Sequence, residues 1–94
     1  MAQDLQTSEI LRVARRHGAN TVRIFGSRAR GDHRPDSDLD LLVTLERNCS
    51  LLDVVANKQD LEDLLHYLVD VVTENGLSPY IRDGVLAEAR LLTA

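Results

Sequence analysis

The sequence predicts an α/β fold of the α+β type, in which short strands alternate with helices in the order αβαβαβα. Three segments rich in β-branched and apolar residues, 21–25, 38–45 and 68–73, predict the strands. Apolar residues at helical spacing lie between and around them, and Gly and Pro mark the breaks. The 94 residues, 44% of them apolar, fit one compact domain over 1–94. This alternation implies a sheet covered by helices on at least one face.

The first helix is predicted by apolar residues at helical spacing, namely Ile10, Leu11, Val13 and Ala14, with His17 on the same stripe. Thr7 or Ser8 suits its N-terminal cap, and Gly18 suits the left-handed position that often ends a helix. The short segment Thr21–Phe25 then predicts the first strand, which Gly26 breaks.

The next segment, Ser27–Arg30, is long enough for a single helical turn. An exposed loop follows, indicated by residues typical of turns: Gly31, Asp32, Pro35, Asp36 and Ser37. Asp38–Leu45 predicts the second strand, because its apolar residues alternate and favour extended backbone.

The third helix has the clearest signal, since Ser50 and Asp53 resemble a capping box with Asp in place of the usual Glu. Its predicted apolar stripe consists of Leu51, Val54, Val55, Leu61, Leu64 and Leu65. The segment Leu68–Thr73 predicts a buried third strand, which the turn at Asn75-Gly76 ends.

The last helix is predicted by Ser78 as its cap and Pro79 at its first position. Its predicted stripe consists of Ile81, Val85, Leu86, Ala89 and Leu92. No repeat, linker or low-complexity segment interrupts the order of elements.

The charge and composition restrict the classes of function. A net charge of -4 without a basic stretch argues against a direct nucleic-acid binder and suits a basic protein partner better. The single cysteine, Cys49, can form no internal disulfide, and no charged-then-apolar leader opens the sequence. No apolar run is long enough to span a membrane. We therefore expect a cytoplasmic protein.

Two carboxylates, Asp38 and Asp40, open the second strand at alternate positions. Because side chains alternate along a strand, both acids share one face, roughly 6.6 Å apart along the chain. This spacing suits the metal ions, about 3.5–4 Å apart, of phosphoryl-transfer sites. Asp70 stands alone in the apolar third strand, where metal binding would explain a carboxylate. A solvent-facing position or an ion pair with Lys or Arg is the alternative.

A Gly-Ser turn, Gly26-Ser27, lies ten residues before the acid pair. Gly26 would let a polyphosphate approach the backbone amides, and the Ser27 hydroxyl adds a donor. Arg28 and Arg30 would hold the triphosphate by forked hydrogen bonds, or would be solvated loop residues. Alone, the turn could be an ordinary strand ending. Together with the acids, it predicts a site for a nucleoside triphosphate bound through metal ions.

Three segments resemble the minimal nucleotidyltransferase (MNT) group of the DNA-polymerase-β-like superfamily: Gly26–Gly31, Ser37–Val43 and Val69–Val72. The resemblance implies the nucleotidyltransferase fold, a mixed three-stranded sheet with helices packed on one face and the active site on the other. It places Gly26 and Ser27 on the triphosphate of ATP, and two Mg²⁺ ions on Asp38 and Asp40. Asp70 would hold the ion that activates the attacking hydroxyl and would accept its proton.

Stand-alone MNT proteins of this size resemble MntA-type antitoxins, which occur beside a HEPN-domain toxin, usually an RNase. The resemblance implies a Mg-dependent protein adenylyltransferase that transfers AMP from ATP to a tyrosine hydroxyl of the HEPN toxin and so neutralises it. One alternative is a binding-only antitoxin that blocks the toxin sterically. The other is a nucleotidyltransferase subunit that acts on a small molecule together with a helical companion chain.

Overall fold

The structure, a computed structural model, describes residues 6–93, so the predicted domain 1–94 extends past them at both ends. The elements are α1 (Thr7–Arg16), β1 (Ala19–Phe25), α2 (Ser27–Arg30), β2 (Leu39–Leu45), α3 (Leu51–Leu65), β3 (Val69–Val72), α4 (Pro79–Glu88) and β4 (Arg90–Leu91), with a 3₁₀ turn at Glu74–Gly76. Within residues 6–93, no helix has the length and apolar character needed to cross a membrane.

The strands form one mixed sheet in the order β3-β2-β1-β4. β1 runs antiparallel to both β2 and β4, whereas β2 and β3 are parallel. The predicted mixed α/β fold is confirmed, but the sheet has four strands rather than three. The additional strand, β4, pairs with Arg23 and Ile24 of β1. Its two residues are too few to leave a pattern in the sequence, so only its pairing defines it.

One face of the sheet carries the core, which α1 and α3 cover. The strands contribute Val22, Ile24, Leu39, Leu41, Val43, Val69 and Val71 to this core. The two helices contribute Ile10, Leu11, Val13, Ala14, Leu61 and Leu65. Because strand side chains alternate, Asp40 and Asp70 lie on the opposite face. The helix-packed face and the acidic face are therefore separate sides of the sheet.

The start of α1 differs from the prediction, whereas its end agrees with it. Neither Thr7 nor Ser8 is the cap, because Gln6 holds the cap position and no side chain caps the helix. Gly18 follows the helix with a φ of +87°, as expected for a left-handed C-terminal residue. β1 then begins at Ala19, slightly earlier than predicted.

The capping box of α3 is confirmed, but two of the six residues of its predicted apolar stripe lie outside the core. Ser50 and Asp53 each accept a hydrogen bond from the backbone at the other end of the box. Leu51 is 77% exposed and Val55 is 50% exposed, and neither belongs to the core cluster. The first turns of α3 thus carry apolar residues outside the core. The buried apolar residues of α3 are Leu61 and Leu65.

α4 begins as predicted but packs loosely and ends early. Ser78 caps it, since its Oγ accepts a backbone hydrogen bond at 3.2 Å, and Pro79 takes the first position. No residue of α4 is fully buried: on the predicted stripe Ile81 is 52% exposed, while Val85 and Leu86 are half-buried. The helix ends at Glu88 because the backbone becomes extended at Ala89 and enters β4.

Candidate active site

Asp40 of β2 and Asp70 of β3 are direct partners in the parallel ladder. Their side chains therefore lie on the same face of the sheet. The residues that precede them, Leu39 and Val69, pair with each other and are fully buried on the other face. The sheet register alone thus brings together two acids that are thirty residues apart in the sequence.

The pKa of Asp40 lies above its usual value. Burial contributes most to raising the pKa of Asp40 to about 6, followed by the charge of Asp70 and a hydrogen bond between the two carboxyl groups. The charges of Asp38 and Glu88 act in the same direction. Two carboxylates this close repel each other when both are ionised. A divalent cation would relieve that repulsion, and carboxylate oxygens are ligands that Mg²⁺ prefers, so the donor set fits this metal.

Asp38 is exposed, as is Asp70, whereas Asp40 is half-buried. Asp38 directly precedes β2. The sequence predicts that this strand begins at Asp38, but in the structure it begins at Leu39. The charge of Asp38 acts on Asp40, yet within residues 6–93 no three His, Cys, Asp or Glu side chains are arranged to hold a metal ion together. The site is therefore a close pair, Asp40 and Asp70, with a third acid at the end of a loop. Asp38 would have to turn toward the pair for all three acids to share ions.

Gly26 forms the corner directly after β1 and lies against Asp40. Its φ of +78° and ψ of -159° form a combination that is essentially restricted to glycine. A Cβ atom at this position would lie 2.2 Å from Oδ2 of Asp40. The pairing of Phe25 with Asp40 across β1 and β2 fixes this close approach. The Gly-Ser corner and the acid pair therefore belong to one site.

The single turn α2 follows this corner, as the sequence predicts. The Gly26 carbonyl accepts hydrogen bonds from the amides of Ala29 and Arg30 at 3.0 and 3.1 Å. Ser27 is the first residue of the turn and is half-buried. Gly31 ends the turn with a φ of +82°. The predicted phosphate ligand Ser27 thus lies at the start of a short helix next to the acids.

Arg28 has a different role from the predicted one. Its side chain is buried, and its guanidinium donates to the carbonyl of Ser37 from Nε at 3.2 Å and from Nη2 at 2.9 Å. Nη2 also donates to the carbonyl of Pro35 at 3.2 Å, and the guanidinium lies 4.2 Å from the centre of the Tyr67 ring. Arg28 therefore holds the loop that leads to Asp38, and its Nε and Nη2 donors are used by the loop carbonyls.

Arg30 is exposed and joins the corner to the end of α4. Its Nη1 donates to Oε1 of Glu88 at 2.8 Å, and its Nε donates to Asp32 at 3.2 Å. The other oxygen of Glu88, Oε2, accepts from the Gly26 amide at 2.6 Å. The Arg30 hydrogen bond and then the Gly26 amide hold the pKa of Glu88 below its usual value. Glu88 gives no local signal in the sequence, because it lies 62 residues after Gly26, and it is not among the predicted site residues.

The family of the chain follows from comparison with known proteins. Residues 8–92 match the model of the nucleotidyltransferase domain. The chain belongs to this family. The resemblance seen in the sequence is thus confirmed, and this nucleotidyltransferase is an enzyme that transfers a nucleotide.

Two relatives of this nucleotidyltransferase are named as protein adenylyltransferases. The chain is 41% identical over 81 residues to a Methanocaldococcus jannaschii protein named "Putative protein adenylyltransferase MJ0435", an alignment that covers 86% of this chain and 87% of that relative. It is 35% identical over 86 residues to protein adenylyltransferase MntA of Thermococcus cleftensis, covering 92% and 87% of the two chains.

Solved structures share the fold of this nucleotidyltransferase. One, a "putative minimal nucleotidyltransferase", is 50% identical with a TM-score of 0.79, covering 90% of this chain and 87% of that one. A toxin–antitoxin structure with AMP-PNP is 22% identical with a TM-score of 0.81, covering 96% and 74%. The complex of a tri-AMPylated Shewanella oneidensis HEPN toxin with an MNT antitoxin is 20% identical with a TM-score of 0.73, covering 99% and 73%. The last two similarities concern the fold alone.

Proposed function

We propose that this nucleotidyltransferase is an antitoxin that transfers AMP from ATP to a tyrosine hydroxyl of a HEPN-domain toxin. The observation that carries the proposal is the pairing of Asp40 with Asp70 across β2 and β3, together with the packing of Asp40 against the Gly26 corner. This arrangement combines donors for a polyphosphate with a carboxylate pair for Mg²⁺. Relatives named protein adenylyltransferase support a protein hydroxyl as the acceptor.

The residues of the site would divide the reaction among them. Asp38, Asp40 and Asp70 would hold two Mg²⁺ ions, which when bound neutralise the charge of the triphosphate and lower the pKa of the attacking hydroxyl. The backbone at Gly26 and the hydroxyl of Ser27 would orient the triphosphate. The tyrosine oxygen would bond to the α-phosphorus of ATP. At the same time the bond from the α-phosphorus to the oxygen that bridges to the β-phosphorus would break, and pyrophosphate would leave with that oxygen. Asp70 would accept the proton of the tyrosine.

Two features support a HEPN toxin as the acceptor. First, a structurally similar MNT antitoxin is in complex with an AMPylated HEPN toxin. Second, the net charge of -4 favours association with a basic partner such as an RNA-binding enzyme.

Intact-mass spectrometry tests this proposal. The chain is incubated with Mg-ATP and the HEPN-domain product of the adjacent reading frame, and the mass of that product is measured. We expect a gain of one or more AMP units, mapped to a tyrosine by peptide sequencing. The double variant D38N/D40N should produce no gain. D36N is the matched control, because Asp36 is an exposed aspartate in the same loop.

The other outcomes would contradict the proposal in distinct ways. If the toxin is silenced without a gain in mass, and D38N/D40N silences it equally well, the chain is a binding-only antitoxin. If a small metabolite gains the nucleotide and the protein does not, the chain belongs to a small-molecule nucleotidyltransferase.

A further inference from the structure

Glu88 occupies the backbone amide of Gly26, which the proposed function assigns to the triphosphate, and the guanidinium of Arg30, which the sequence predicts as a triphosphate ligand. Its two oxygens accept from the Gly26 amide at 2.6 Å and from Nη1 of Arg30 at 2.8 Å. One anionic group thus spans a backbone amide and a guanidinium, which is the donor pair that two oxygens of a phosphate group would use. The carboxylate lies close enough to the acids for its charge to act on Asp40.

We infer that Glu88 is an internal substitute for a phosphate group, which holds Gly26 and Arg30 in the absence of nucleotide and is displaced when the triphosphate of ATP binds. This inference rests on the proposed use of Gly26 and Arg30 by the triphosphate. Glu88 then determines the affinity for nucleotide without taking part in the chemical step. The same contact keeps both donors paired and the corner ordered when the site is empty.

The attachment of Glu88 allows its release. It is the last residue of α4, a helix without any buried residue. The strand that follows, β4, has two exposed residues and pairs with β1 at only two positions. Few contacts therefore oppose a movement of this side chain away from Gly26. By contrast, Asp40 and the Gly26 corner belong to the two central strands, β2 and β1, and pack closely against each other.

Electrostatics favour the displacement of Glu88 by the triphosphate when Mg²⁺ is present. With Glu88 in place, the charges of three other carboxylates act on Asp40, namely those of Asp38, Asp70 and Glu88. When Mg-ATP binds, a metal-neutralised triphosphate would replace one of these carboxylates. Binding therefore relieves repulsion at the same time as it breaks the contact between Glu88 and Arg30.

Removing the charge of Glu88 should therefore tighten nucleotide binding. The apparent Kd equals the intrinsic Kd divided by the fraction of protein whose site is open. Loss of one partly exposed charge-assisted contact would lower the Kd for Mg-ATP by about threefold to tenfold. The effect should appear in KM, while kcat stays within about twofold of the original value, since Glu88 does not touch the reacting atoms in the bound state.

Titration calorimetry of the full chain with Mg-ATP, and separately with magnesium and inorganic triphosphate, tests the inference on E88Q and E88A. D83N is the matched control, because it removes the same charge from an exposed position of the same helix. We expect both Glu88 variants to bind both ligands more tightly, and D83N to bind as the original chain does. Circular dichroism and thermal unfolding report whether each variant is folded.

Each alternative result has a defined meaning. If the original chain binds Mg-ATP but a folded E88Q or E88A binds it equally or more weakly, Glu88 is a positioning residue and the inference is overturned while the proposed function stands. If D83N tightens binding as much as E88Q does, general charge explains the effect and the inference is likewise overturned. If the original chain binds neither ligand, the proposed function is contradicted, and the inference that rests on it is overturned with it.

Discussion

Replacement of Gly26 by alanine should damage both the stability and the site of this nucleotidyltransferase. The backbone at Gly26 has a positive φ of +78° together with an extended ψ of -159°, which costs a residue with a side chain on the order of 1–3 kcal/mol. The added methyl would also lie 2.2 Å from Oδ2 of Asp40. Forcing the two groups apart adds about 1–3 kcal/mol. We expect a total loss of about 2–6 kcal/mol in the free energy of unfolding.

Two other glycines separate these contributions. G31A tests strain alone, because Gly31 has a φ of +82° but no atom within 4 Å of its missing Cβ, and it should cost about 1 kcal/mol. G84A tests neither, because Gly84 lies in α4 with open space around it, and it should stabilise the protein by about 0.5–1 kcal/mol. Urea unfolding of all three variants gives their free energies of unfolding. Titration with Mg-ATP shows whether each variant still binds nucleotide.

The difference between G26A and G31A is the decisive quantity. Close contact with Asp40 requires G26A to be the more costly by at least about 1 kcal/mol, and to lose nucleotide binding where G31A retains it. Equal costs with intact binding would refute the contact between the Gly-Ser corner and Asp40.

Three further predictions concern charge, the loop and the caps. Folding raises the pKa of Asp40 from 3.8 to about 6, so the folded state binds the proton more tightly and this group lowers stability as pH rises through that interval. Without metal, the free energy of unfolding of D40N in urea should thus exceed that of the original chain by about 1 kcal/mol at pH 7.5, after solvent screening, and should equal it at pH 4. An equal gain at both pH values would contradict a raised pKa of Asp40 in the folded state. R28K should cost about 1–2 kcal/mol by the same measurement, because lysine cannot reproduce the forked contacts to Ser37, whereas R30K at an exposed position should leave the melting temperature nearly unchanged. S50A should cost about 1 kcal/mol through loss of the α3 cap, and a thermally silent S50A would show that the capping box does not stabilise the helix.

The parts of the fold that the sequence predicts are those that depend on local chemistry. The capping box of Ser50 and Asp53, the Pro79 start of α4 and the left-handed Gly18 each reflect the preference of a few neighbouring residues. The alternation around Asp40 likewise places the acid opposite the core without any knowledge of other strands.

The parts that were missed depend on contacts between distant segments. β4 exists only because residues 90–91 meet β1. Leu51 and Val55 fit a helical stripe, yet the periodicity says nothing about how far the core extends along a helix. Arg28 and Arg30 look alike in the sequence, but Arg28 is buried against loop carbonyls while Arg30 stays exposed and reaches Glu88. Their roles follow from partners that no local pattern specifies.

The central claim is that Asp40, which packs against the Gly26 corner, and its strand partner Asp70 bind a triphosphate through Mg²⁺. Titration calorimetry of ATP into the chain, with Mg²⁺ or with EDTA, tests it most directly when D40N and D70N are measured beside the D36N control. We predict binding that requires Mg²⁺, disappears in D40N and D70N, and persists in D36N. ATP binding that is independent of Mg²⁺ and unchanged in D40N and D70N would contradict the claim.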